Sequence, residues 1–146
     1  MASESRPASV DPSDFDSIGV MTEIVVSLRR HAIEHGLDVT ATVSAPPGRH
    51  TLHMAARPGG HVVLGVRYDQ LTRSRRNVMA DALSSRAWDL DEDAEGATRR
   101  YPPGTEPTTI AFEALAVLTL GGTPADPRTV SAVDSSGSSV SLGREP

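Results

Sequence analysis

The most informative stretch of the chain is residues 105–122, whose sequence is Thr-Glu-Pro-Thr-Thr-Ile-Ala-Phe-Glu-Ala-Leu-Ala-Val-Leu-Thr-Leu-Gly-Gly. It opens with helix start signals, because Thr105 can cap a helix and Pro107 is tolerated in the first turn. It closes with the pair Gly121-Gly122, which favours the end of a helix. We therefore predict a helix over 106–120.

The interior of this helix is apolar on nearly every side, with only Glu113 and Thr119 polar. A helix that is hydrophobic all round is buried on more than one side. In a chain of 146 residues one sheet covers only one of those sides. The sequence therefore predicts that the outer side meets a second copy or a partner, and the residues expected at that interface are Phe112, Leu115, Ala116 and Thr119.

The first half of the chain carries two different hydrophobic periods. Residues 14–35 have helical spacing and end at Gly36. Their predicted apolar stripe consists of Phe15, Ile18, Met21, Ile24, Val25, Leu28 and Ala32. Residues 37–68 alternate between apolar and polar side chains, interrupted by Pro-Pro-Gly and Pro-Gly-Gly turns. This alternation predicts a meander of three antiparallel strands.

The second half predicts a helix over 72–86, a short strand at Trp88–Leu90, a strand over 97–101 and the closing helix. The predicted fold is one α+β domain over 13–122, in the order α-β-β-β-α-β-β-α. Its antiparallel sheet is covered by helices on one face.

Both ends of the chain lack a clear period. Residues 1–12 are rich in Ser, Pro and Ala, and we expect them to be a disordered tail. Residues 123–146 are rich in Pro, Ser and Gly, and we expect a flexible tail with, at most, a weak edge hairpin around Ser136-Gly137.

Composition narrows the classes of function. The net charge of −5 argues against a nucleic-acid surface, and no apolar run approaches the roughly 20 residues of a membrane span. The absence of cysteine excludes disulfides, a thiol nucleophile and a cysteine zinc site. We therefore expect a cytoplasmic protein that binds no nucleic acid, no membrane and no cofactor.

A metal site is an alternative, because residues 31–35 match the pattern H-x-x-E-H. Two histidines four apart on a helix can share one zinc ion, with the glutamate as general base, and the candidates are His31, Glu34 and His35. No third ligand is evident, and a histidine in the last turn also suits the helix dipole. The sequence favours a helix-end histidine pair over a metal site.

Two other sets of polar residues have side chains of the metal-ligating types. The start of a calcium loop is resembled by the alternating acids Asp89, Asp91, Asp93 and Glu95. An EF-hand loop requires Gly at its sixth position and Glu at its twelfth, where this chain has Ala94 and Arg100. A solvated acidic turn is favoured, with calcium binding as the alternative. The histidines of the meander (His50, His53 and His61) share no ligand spacing, and no role is assigned to them.

The order of elements resembles the type III secretion chaperone fold and the related YbjN-like and TY-Chap domains. The features that carry the resemblance are the helix 14–35, the meander 37–68, the helix 72–86 leading into Trp88-Asp89-Leu90, and the closing helix. It covers about residues 14–122. The resemblance implies binding of a protein segment, often by a homodimer, without a catalytic centre.

The sequence is compatible with three hypotheses for the function of the protein. The leading hypothesis is a non-enzymatic protein-interaction module, chaperone-like or regulatory, whose closing helix forms a homodimer. The first alternative is a metal-binding protein or small metalloenzyme. The second is a small-ligand sensor with a pocket near Trp88 and Tyr101, because pockets commonly lie where elements meet.

Overall fold

The computed structural model describes residues 8–12, 14–45, 48–92, 95–120 and 127–142. The helices in these ranges are α1 (Ser17–His35), α2 (Arg73–Ser85) and α3 (Pro107–Leu118). The strands are β1 (Ala8–Val10), β2 (Val39–Val43), β3 (Thr51–Ala56), β4 (Val62–Arg67), β5 (Asp89–Leu90), β6 (Gly96–Tyr101), β7 (Arg128–Asp134) and β8 (Ser139–Val140).

The strands form one antiparallel sheet in the order β1-β7-β2-β3-β4-β6-β5, with β8 beside β1 on the same edge of β7. The predicted meander is confirmed, since β3 pairs with both β2 and β4. The register aligns Ala41 with Met54 and Met54 with Leu64. Because side chains alternate along each strand, this register places the apolar positions of all three strands on one face.

That face carries the core. The predicted inward residues of the meander are fully buried: Val39, Ala41, Val43, Leu52, Met54, Ala56, Val62, Leu64 and Val66. The helices bury their apolar side chains in the same cluster, and α1 and α3 lie side by side over β2 and β3. The α+β fold with helices on one face is therefore confirmed.

The ends of the chain differ from the sequence expectation. Residues 1–12 were expected to be disordered, but Ala8–Val10 pair with β7 and Val10 is buried. The predicted hairpin at Ser136-Gly137 is present as β7–β8. Its second strand, β8, lies at the edge of the sheet as expected, whereas β7 lies between β1 and β2. Strand pairing supplied by distant segments stabilises these weakly patterned ends.

Helix ends are close to the prediction. Gly36 follows α1 in the left-handed conformation, with φ of 63°, as a terminating glycine does. The cap of α3 is Glu106, one residue after the expected Thr105, whose hydroxyl donates instead to the carbonyl of Pro102. The expected stop at Gly121-Gly122 lies outside the described residues.

No helix in the described ranges has both the length and the apolar character needed to cross a membrane.

Candidate functional site

An apolar groove runs between the outer side of α3 and the turn that precedes α1. It has a volume of about 310 Å³. Its walls are formed by Pro12, Asp14, Phe15, Ser17, Ile18, Phe112, Leu115, Ala116 and Thr119. The four interface residues expected from the sequence therefore lie together on one wall.

Both phenylalanines of the chain line this groove and are exposed to solvent. Phe15 is 91% exposed and Phe112 is 67% exposed. The helical stripe predicted from the sequence placed Phe15 inward, and this is wrong, because α1 begins at Ser17 and Phe15 lies in the turn before it. A helical spacing argument does not hold for a residue outside the helix.

The outward side of α3 carries no charged side chain. The only charged residue within the helix is Glu113, which points inward and is 9% exposed. The outward positions are Thr108, Thr109, Phe112 and Thr119, flanked by the half-buried Leu115 and Ala116. Exposed helix faces in soluble proteins normally carry charge, whereas the centres of protein interfaces are depleted of it.

Glu113 binds three side chains beneath the helix. Arg86 donates to both of its carboxylate oxygens, from Nε to Oε2 at 2.9 Å and from Nη2 to Oε1 at 2.8 Å. The indole of Trp88 donates to Oε2 at 2.8 Å. Arg99 Nη1 lies 3.7 Å from the same oxygen and donates to the Arg86 carbonyl at 2.9 Å. Two guanidinium groups thus share one carboxylate.

The turn after α2 brings Arg86 and Trp88 to the same carboxylate. Ala87, between them, has φ of 68°, a left-handed conformation that is unusual for a residue with a side chain. The amide of Trp88 donates back to the carbonyl of Leu83 at 3.0 Å, which closes the helix end. The reversal puts both neighbours of Ala87 on the side of Glu113.

The pKa of Glu113 lies below its ordinary value despite burial. Burial is the largest influence and raises the pKa, but the hydrogen bonds from Arg86 and Trp88, together with the charges of Arg86 and Arg99, outweigh it. Glu113 is therefore a carboxylate near neutral pH, and the cluster it forms with Arg86 and Arg99 carries one net positive charge.

A second cavity, a cleft of about 380 Å³, lies on the other side of Phe112. It is lined by Arg99, Tyr101, Thr108, Thr109, Phe112 and Glu113. The guanidinium carbon of Arg99 lies 5.2 Å from the centre of the Tyr101 ring, within the range of a cation–π contact. The pocket expected near Trp88 and Tyr101 is thus formed at Tyr101, while Trp88 is buried behind Glu113.

The histidines of the motif on α1 contact the sheet and each other. His31 Nε2 lies 3.0 Å from Asp134 Oδ2 of β7, and the His31 and His35 rings stand 4.2 Å apart. Hydrogen bonds from Ser136, then from His31, lower the pKa of Asp134 to about 2. No group of three or more potential metal ligands occurs among the residues the structure describes. His31, Glu34 and His35 therefore do not converge on a metal site there.

The other candidate ligands are also separated. His50 is buried and its Nε2 donates to the carbonyl of Val117 at 2.6 Å, whereas His61 is exposed. His53 lies on the helix-free face of the sheet, 3.3 Å from the Thr42 hydroxyl.

In the acidic turn, Asp91 pairs with Arg67, which also approaches Glu95. Asp93 and Ala94 lie outside the described residues. Asp91 and Glu95 therefore face cations of the protein itself.

The sequence pattern predicted the residues of α3 that line the groove, but it did not predict the other residues of the site. The apolar character of α3 indicated Phe112 and its neighbours. Arg86, Arg99 and the buried role of Glu113 carry no local pattern, because they come from three elements that are distant in sequence.

Comparison of the chain with known protein families, curated proteins and solved structures finds no significant match.

Proposed function

We propose that this protein is a non-enzymatic protein-interaction module, chaperone-like or regulatory, that associates with a second copy of itself through the outer side of α3. The observation that carries the proposal is the exposure of both phenylalanines in one groove beside a charge-free helix face. Contiguous apolar surface of this kind marks a docking site, whereas scattered apolar residues do not.

The shape of the surface favours a second copy as the occupant. Phe112 is large and Ala116, one helical turn further along the same side, is small. A two-fold axis near these positions would place the phenylalanine of each copy over the alanine of the other. Homodimers commonly use such self-complementary patches.

The binding of a client segment is the second part of the proposal. It is supported by the resemblance to type III secretion chaperones, because members of that fold bind segments of other proteins. A homodimer joined through α3 would leave the helix-free face of the sheet open in both copies.

The self-association is tested by measuring the solution mass of the untagged protein by light scattering. We expect twice the mass of the chain for the wild type. Leu115→Arg should reduce the mass to that of one chain, because an unpaired charge is not tolerated in a buried interface. Phe112→Ala should weaken the dimer by at least about tenfold, because truncation of a central aromatic residue typically costs 2 kcal/mol or more.

The matched control is Val78→Ala on α2. Val78 is also an exposed apolar side chain, 55% accessible, but it does not line the groove. This variant should keep the mass of the wild type. A wild-type monomer, or a dimer that neither groove variant weakens, would contradict the proposal.

A further inference from the structure

Charges of opposite sign stand at the two ends of the α3 surface. Phe112 belongs to both cavities and therefore lies between them. Beyond it on one side is Arg99, which lines the cleft. Beyond it on the other side is Asp14, which lines the groove together with Phe15.

The two charged ends are available to a partner. Asp14 is exposed, and the side chain of Arg99 is one-third exposed. The cluster behind Arg99 has an excess positive charge, because Arg86 and Arg99 share the single carboxylate of Glu113. An incoming carboxylate would neutralise that excess.

We propose that the two copies dock antiparallel across α3, so that Arg99 of each copy pairs with the Asp14 carboxylate of the other. A two-fold axis perpendicular to the line from Arg99 to Asp14, through the apolar centre, brings unlike charges together twice. A parallel arrangement would place Arg99 against Arg99 and Asp14 against Asp14. The antiparallel arrangement rests on the proposed self-association and specifies how the two copies are oriented in the dimer.

The test is a charge exchange between copies. Asp14→Arg alone would face Arg99 at both ends of the dimer, and Arg99→Glu alone would face Asp14. Each variant should therefore associate at least roughly tenfold more weakly than the wild type, as expected for loss and reversal of close charge pairs. When the two variants are mixed, both contacts become attractive, and a heterodimer should form that native mass spectrometry distinguishes from either homodimer.

Two controls separate this result from general charge effects. Arg100→Glu changes the neighbouring residue, which alternates onto the helix-free face, and Asp81→Arg changes an exposed acid on α2. Both should keep the wild-type dimer. If Arg99→Glu does not fold beside Glu113, Arg99→Gln replaces it and should still recruit Asp14→Arg into a heterodimer.

The outcomes distinguish the two proposals. A dimer that Phe112→Ala weakens but the charge variants leave intact would overturn the antiparallel arrangement and keep the self-association. Variants that weaken singly and remain monomeric when mixed would overturn the arrangement as well. A wild-type monomer would overturn both proposals.

Discussion

Glu113 is the residue on which the interior of the site depends. Its carboxylate receives hydrogen bonds from the end of α2 and from Trp88, and Arg99 of β6 approaches it. A carboxylate that is nearly buried is stabilised only when its partners are ionic or strong donors. Glu113 meets this condition, because its side-chain partners are two guanidinium groups and the N–H of an indole.

We expect Glu113→Gln to destabilise the protein by about 2 kcal/mol, because hydrogen bonds to charged groups contribute about 1.5–3 kcal/mol and the arginines remain partly solvated. The amide keeps the shape of the side chain but loses the charge that holds both guanidinium groups. Urea unfolding followed by the fluorescence of Trp88 measures the change.

Glu106→Gln, at the exposed start of the same helix, is the matched control and should stay within about 0.5 kcal/mol of the wild type. Equal stability of Glu113→Gln and the wild type would show that the cluster contributes little to folding.

At the scale of elements, Arg29 joins α1 to two loops at the edge of the site. Its Nε donates to the carbonyl of Gly60 at 3.1 Å and its Nη1 to that of Thr105 at 2.8 Å, and its Nη2 donates to that of Pro103. The loop that ends in Thr105 leads directly into α3. Arg29 lies outside the apolar stripe predicted for α1, and its hydrogen bonds hold the loop that leads into α3.

We expect Arg29→Lys to cost about 2 kcal/mol, because an ammonium group cannot reproduce the fork of a guanidinium over three carbonyls. Thermal unfolding by circular dichroism measures the loss. Arg30→Lys changes the adjacent, exposed arginine and should leave the melting temperature unchanged. If Arg29→Lys and Arg30→Lys both have the melting temperature of the wild type, Arg29 does not hold these loops.

At the scale of the whole molecule, several ionisable groups have pKa values lower in the folded chain than in the unfolded one. Burial is the main cause for His50, whose ordinary pKa is 6.5, although its bond to Val117 acts in the opposite direction. Burial raises the pKa of Glu113, but its hydrogen bonds and the neighbouring arginine charges lower it by more, and hydrogen bonds from Ser136 and His31 lower the pKa of Asp134. For each group the unfolded chain binds the proton more readily, so acid favours unfolding.

We therefore expect stability to fall in two stages as the pH decreases. The contribution of His50 is complete above pH 6.5 and is lost as the pH falls below that value. The contributions of Glu113 and Asp134 are lost at lower pH, below the ordinary values of 4.5 and 3.8. Melting temperatures between pH 8 and pH 3, in steps of about half a pH unit, would resolve the stages because one unit of pKa shift corresponds to about 1.4 kcal/mol.

The upper stage is assigned by His50→Asn, which cannot take up a proton at these pH values. This variant should be less stable at pH 8 but should lose less stability between pH 7 and pH 5 than the wild type. His61→Asn, at an exposed position, should reproduce the wild-type slope. An unchanged slope in His50→Asn would assign the upper stage to another group.

The helices and strands that the sequence predicts correctly are those marked by the spacing of neighbouring apolar residues. The alternation over the meander placed nine buried side chains on one face, and the apolar helix 106–120 identified Phe112, Leu115, Ala116 and Thr119 as one surface. The period of a strand or helix is a property of neighbouring residues, so it can be read without knowing the fold.

The contacts between distant segments depend on tertiary packing. In the folded chain β7 lies between β1 and β2, and Phe15 is exposed beside Phe112. The side chains of Arg86, Trp88 and Arg99 surround the carboxylate of Glu113. These contacts join residues far apart in the chain, and no local period encodes the partner of a strand or of a charge. Their stability comes from burial and from exclusion of water, which arise only once the layers have packed.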